Sequence, residues 1–304
     1  MSNTCSTNSP GRCAAPAAAD LRSIAALGCA LWIAGCASAP PAGLYATAAS
    51  EGTKGASKPP PNSAAALSTR YGKGERNFDG MKLGGAVLAG AKFVSASFRG
   101  ADLHGADLRG AELEGSDLSE ADLRGAQLDG AYLANATLRG AQLERASLLD
   151  AVLWATDLSS AVLTGARLDR ANLQHADLSG ARLAGASLRT AALGNVALRG
   201  ADLSGANMIA ATLPDADLEQ ANLSGANLVS ADLGRAYLKG ANLGATLLCR
   251  TVLIDTEPAS ANLQGARYGA RTQFPPGFDP KAAGAVEDPC CAEPNPETTC
   301  PPKR

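Results

Sequence analysis

The 304-residue chain reads as an all-β solenoid built from very short extended segments. The stretch "ADLHGADLRGAELEGSDLSEADLRG", residues 101–125, repeats a small residue, a polar residue and Leu every five positions. That phase holds without an insertion over 195 residues, from Arg76 to Ala270, which is 39 units. After each Leu come two residues that are often small or Gly, as in "HG", "RG" and "SG". Five is neither the helical period of 3.6 nor the strand period of two, and on a helix such a series would drift around the surface. A period held this long is itself the fold.

The central residues run Phe78, Leu83, Leu88, Phe93, Phe98 and Leu103, then Leu every fifth residue to Leu253, with Met208 as the substitute. Pro258 breaks the series, and Leu263 and Tyr268 resume it in phase. Two positions earlier stands a small residue, usually Ala, with Ser116, Val196, Thr246 and Thr251 among the variants. Residues two apart on an extended backbone point the same way. The pair of small residues that follows suits a sharp turn. Each unit is therefore a short strand and a corner, and repeated corners make coils that stack through backbone hydrogen bonds about 4.8 Å apart. Leu and Ala fill the axis, and the other three positions face water. The low aromatic content (4%) and 33 glycines fit such a narrow core.

This A(D/N)LxG pattern resembles the pentapeptide-repeat family over about two thirds of the chain. The resemblance implies a right-handed, quadrilateral β-helix with four pentads per coil, hence about nine to ten coils. It also implies a C-terminal closure at "ARYGARTQFPPGFDPKAAG", residues 266–284.

Four segments follow. Residues 1–35 read as leader and signal peptide: Arg22 precedes an apolar run from Ile24 to Gly35, too short to span a bilayer and of signal-core size. Ile33-Ala34-Gly35-Cys36 resembles the bacterial lipobox, which implies a lipid on Cys36 and a membrane anchor. Ala37 after it, not Asp, favours the periplasmic face of the outer membrane by analogy with bacterial sorting. The competing reading of the apolar run is a segment packed on the rod. Residues 36–75, rich in Ala, Pro and Ser, read as a disordered tether. Residues 76–270 form the β-helix, and 271–304 form a cap and a disordered Cys-containing tail.

With export, Cys249, Cys290, Cys291 and Cys300 remain, and an oxidising periplasm permits three pairings among them. Free thiols, or a metal on the "CC" pair and Cys300, are the other readings. The two histidines, His104 and His175, sit at corners and read as solvated. The carboxylates before Leu follow from the repeat and mark no acid–base pair. No nucleophile motif, phosphate loop or His/Cys ligand cluster is present, so neither enzyme nor cofactor is expected.

Some members of the family resembled are DNA mimics that bind topoisomerases through an acidic rod. Residues 76–270 hold 21 acidic and 17 basic side chains, a mixed field unlike a phosphate stripe, and no nucleic-acid partner is expected. The sequence thus predicts a scaffold with a protein partner that it does not name, and cytoplasmic mimicry is the alternative should the signal go unused. With 20 residues per coil, Tyr132 stacks beside Val152, with Leu149 and Trp154 close by, as a candidate contact patch. Phe274 and Phe278 are expected to fold over the last coil. The outward Val229, Leu247, Val252 and Ile254 offer a competing homodimer surface at the C-terminal coils.

Overall fold

A computed structural model describes residues 63–292. Between residues 77 and 267, successive coils are joined by parallel bridges that pair second-position residues with the residue 20 further on, such as Asn172 with Val152 and Ala192. The series has no onward bridge from Tyr237, opposite the Pro258 turn, and ends with Val252 paired to Gln273, 21 residues on. Four pentads therefore complete one coil. Within a pentad, the first and third residues are buried, the second is half-buried, and the last two make the turn. Around Leu173 the rungs are Leu173 N–H to Ala192 O (2.7 Å) and Asn172 N–H to Ala151 O (2.9 Å). Ala176 N–H closes the corner onto Leu173 O at 3.1 Å.

The core is the Leu and Ala column that the period implies, and Leu173 is fully buried. Where a hydroxyl replaces Ala, it stays inside and donates to a backbone carbonyl. Ser116 reaches Leu113 O (2.6 Å), Thr156 reaches Leu133 O (2.8 Å) and Thr246 reaches Leu243 O (2.7 Å). A buried polar group so satisfied escapes the desolvation cost of an orphan.

Except at Ser260, in the turn that follows Pro258, the fifth position from residue 80 to 265 has φ between +53° (Ala155) and +72° (Gly265), the left-handed region. Glycine enters it freely, whereas a β-branched side chain is strained there. Thr190, at φ +54°, carries that strain.

Both ends differ from the sequence expectation. Residues 63–72, expected within the tether, form an N-cap and the helix α1 (Ala64–Gly72). Ser63 caps it by accepting the Ala66 N–H (3.3 Å), and Leu67 is fully buried. Leu67 and Tyr71, four apart on one helix face, meet the aromatic first coil. Tyr71 packs edge-on to Phe93 at 5.6 Å and its hydroxyl donates to Val94 O at 3.0 Å. Phe78, Phe93 and Phe98 stack at 5.1–5.7 Å beneath them. The helix thus lids the open N-terminal end of the solenoid.

At the other end the chain expected as disordered tail is ordered to residue 292. Strand β1 (Arg267–Tyr268) pairs in parallel with β2 (Val286–Glu287), which a 3-10 turn, Pro289–Ala292, follows. Phe274 and Phe278 are half-buried against the core, Phe274 standing 5.6 Å from Tyr268 and 5.3 Å from Phe278. Pro258 breaks the ladder without leaving the core. It is buried where a Leu would sit, within a 3-10 turn, Pro258–Ser260, because proline has no N–H to donate to a rung.

Leu173→Ala should cost about 2–5 kcal/mol, whereas Asn172→Ala, which removes one turn-capping hydrogen bond, should cost about 1 kcal/mol. Thr190→Gly should raise stability by about 1 kcal/mol through relief of the left-handed strain. Denaturant unfolding of the three variants checks the order; a Thr190→Gly protein less stable than the parent would contradict the strain assignment.

Candidate interaction surface

The outward positions form columns that run from coil to coil, and the preference for Asp or Asn at position two has a local cause. Its side-chain oxygen accepts the N–H of position four and so caps the corner. Asp177 caps Ser179 (2.8 Å), Asp157 caps Ser159 (2.9 Å) and Asn222 caps Ser224 (3.2 Å). Such Asx geometry is the usual way these residues stabilise turns. Where Ser stands at position two, an Asp at position four of the coil before does the work instead. Asp129 accepts from Leu149 N–H at 3.0 Å and from the Ser147 hydroxyl, and Asp169 does the same for Arg189 N–H and Ser187. On one column the amides themselves form a ladder, Asn262 donating to Asn242 (2.9 Å), Asn242 to Asn222 (3.1 Å) and Asn222 to Asp202 (3.0 Å).

Guanidinium groups grip many of these carboxylates. Arg109 and Arg124 hold Asp107 and Asp122 through paired contacts of 2.6–2.8 Å, and Arg170 and Arg235 hold Asp150 and Asp215 one coil below them. The hydrogen bonds from Arg109 and Arg124 hold the carboxyls of Asp107 and Asp122 below the usual range. These pairs are partly solvated, so each contributes little to stability. Their effect is to break up the acidic field.

Tyr132 and Val152 are bridge partners on neighbouring coils, and Trp154 stands at the corner after Val152. Tyr132 is 54% exposed and Trp154 43% exposed, with the Trp154 ring edge-on to His175 at 5.9 Å. Leu149 is half-buried at the corner of the preceding pentad. Val94, Glu112, Glu114 and Tyr132 line a shallow recess of about 280 Å³ beside this patch.

His104 is exposed and its Nδ1 lies 2.5 Å from Asp102 Oδ1. Its ring rests over Gly84, where a Cβ would collide with it. Asp102, His104 and Asp122 bring one ligand atom each within 4.8 Å of one another, a grouping that the 20-residue stacking creates and that single-pentad reading misses. Both oxygens of Asp122 are already held by Arg124.

Of the cysteines, Cys249 and Cys291 form a disulfide. Cys36, Cys300 and the Cys290 side chain lie outside the described residues. The bridge seats Cys291 on a column of Ile209, Val229 and Cys249, with Leu247 packed at its side. Val229 and Cys249 are only 3% and 5% exposed, so part of the apolar surface expected to be outward is covered by the chain's own tail. Val252 is half-buried and Ile254 is exposed. Gly269 makes room for the staple, since a Cβ there would strike that of Cys291. Among the described residues no helix is long and apolar enough to cross a membrane.

Overlapping matches to the family described as "Pentapeptide repeats" run from residue 77 to 240, more than half of the chain. The chain belongs to the pentapeptide-repeat family. Proteins of this family are in general structural or interaction proteins. Among solved structures, HetL, a pentapeptide repeat protein involved in heterocyst differentiation regulation in Nostoc sp. strain PCC 7120, is similar at 33% identity. The match covers 67% of this chain and 96% of HetL, with a TM-score of 0.55. QnrB1, a plasmid-mediated fluoroquinolone resistance protein, is similar at 22% identity over 63% of this chain and 91% of its own, with a TM-score of 0.48. Comparison with curated proteins gives no match.

An aspartate whose folded pKa is depressed contributes stability above its unfolded pKa of about 3.9 and loses it as pH falls through the lower folded value. The pentapeptide-repeat rod should therefore lose stability progressively below about pH 4. Arg124→Gln, which returns Asp122 toward its ordinary range, should make that loss smaller; melting temperatures of both proteins across the acid range check this.

Proposed function

We propose that this protein is a non-enzymatic lipoprotein of the bacterial cell envelope, anchored through lipid on Cys36, that offers its β-helical faces to a protein partner. The observation that carries the reading is the patch in which exposed Tyr132 and Trp154 flank half-buried Val152, among outward positions where many Asp, Asn, Ser and Arg side chains are hydrogen-bonded. Burying aromatic area is the main source of affinity at protein interfaces, and a rigid ladder presents it without an ordering cost.

Two features support the envelope. The Ile33–Cys36 sequence has the lipobox form, and Ala37 favours the outer membrane. The Cys249–Cys291 disulfide suits an oxidising compartment such as the periplasm. The alternative, cytoplasmic mimicry of DNA, would need an unbroken acidic stripe. The Arg pairs on Asp107, Asp122, Asp150 and Asp215 work against one.

Metabolic labelling with a palmitate analogue should mark the parent protein and leave Cys36→Ala unmarked. Equal labelling would overturn the anchor. In cells, Trp154→Ala with Tyr132→Ala should remove at least one envelope cross-link formed by the parent; an unchanged cross-link pattern would overturn the contact role of the patch.

A further inference from the structure

We infer that the recess beside Tyr132 is a receptor for an arginine side chain presented by an extended basic segment of the protein partner. This rests on the interaction reading above and gives it a chemical class. The corners of Glu114, Ala134 and Trp154 stack one above the next, since Gly115 N–H donates to Ala134 O and Asn135 N–H to Trp154 O, both at 2.9 Å. The recess beside these corners is lined by Val94, Glu112, Glu114 and Tyr132, with the Glu114 side chain exposed.

In the neighbouring column Glu112 and Tyr132 are bridge partners and complete the recess of about 280 Å³. The charge of Glu112 is met by Lys92 Nζ at 2.8 Å. Among the described residues, no ion pair reaches Glu114. On a surface where so many carboxylates are gripped by arginines of the chain itself, Glu114 stands ready for one from outside. The exposed ring of Tyr132 suits arginine better than lysine, because guanidinium is planar, weakly hydrated and stacks on rings. Val152, the half-buried bridge partner of Tyr132 on the next coil, gives an apolar step for the next side chain of an extended segment, in which alternate residues face the rod.

The chain has two tryptophans, Trp32 and Trp154, so Trp32→Phe in the full chain makes Trp154 the sole indole reporter. Titration with an acetylated (Arg-Leu)4 amide should change Trp154 fluorescence saturably, and (Glu-Leu)4 should not. Glu114→Gln and Tyr132→Leu should each weaken the arginine peptide at least tenfold, while Glu257→Gln, a distant exposed carboxylate, should leave it unchanged. The inference is overturned if neither peptide binds, if both bind alike, or if Glu114→Gln binds as tightly as Glu257→Gln. Loss of envelope cross-links in the Tyr132/Trp154 double variant, without arginine-peptide binding to the parent, would sink this inference and leave the proposed function standing.

Discussion

Each pentad joins the next coil through the N–H of its central Leu and the carbonyl of a second-position residue, as between Leu173 and Ala192. The rest of the structure depends on this rung. Because it fixes a 20-residue offset, every side chain is stacked on the side chain 20 positions away. The inner first position is mostly Ala because the space beside the Leu column is narrow, and Val196, Thr156, Thr246 and Thr251 are the larger residues it still takes up. Asp or Asn belongs at position two because the corner that follows needs an acceptor for its N–H. The amide ladder at Asn222, Asn242 and Asn262 and the Arg170–Asp150 pair are consequences of the same offset.

This explains which parts of the molecule are legible in the sequence. The core is open to reading because burial repeats with the chain: Leu173 and Ala171 could be placed inside from spacing alone. The turn-capping role of Asp177 or Asn222 is a local hydrogen bond, hidden behind a residue type that also looks like plain surface polarity. The substitution of Asp129 for a missing cap at Ser147 is harder still, because the partners are 18 residues apart. The adjacency of Tyr132, Val152 and Trp154 was readable once the coil length was known. The recess with Glu114 was not, since it is formed by Val94, Glu112, Glu114 and Tyr132 from three successive coils.

The ends defeat periodic reasoning because they are where the period stops. Residues 64–72 have an Ala-rich composition that reads equally as linker, and only the Leu67–Tyr71 spacing, set against the three phenylalanines of the first two coils, distinguishes a lid. In the tail, Cys291 and Gly269 act together across 22 residues, one supplying the sulfur and the other the space for it. Neither position announces that alone. The cysteine count constrained the pairings, but geometry selected Cys249 with Cys291.

A ladder of parallel rungs has no intrinsic length: its last coil presents the same donors and acceptors that every other coil uses to recruit its neighbour. Left bare, such a face would accept another chain as readily as its own next turn, and stacking of that kind does not close on itself. Helix α1 at one end, and the disulfide-stapled tail with Phe274 and Phe278 at the other, terminate this propagation. The two caps thus stop the ladder from recruiting further coils, and where the solenoid ends is decided by a few non-repeating residues rather than by the many that repeat.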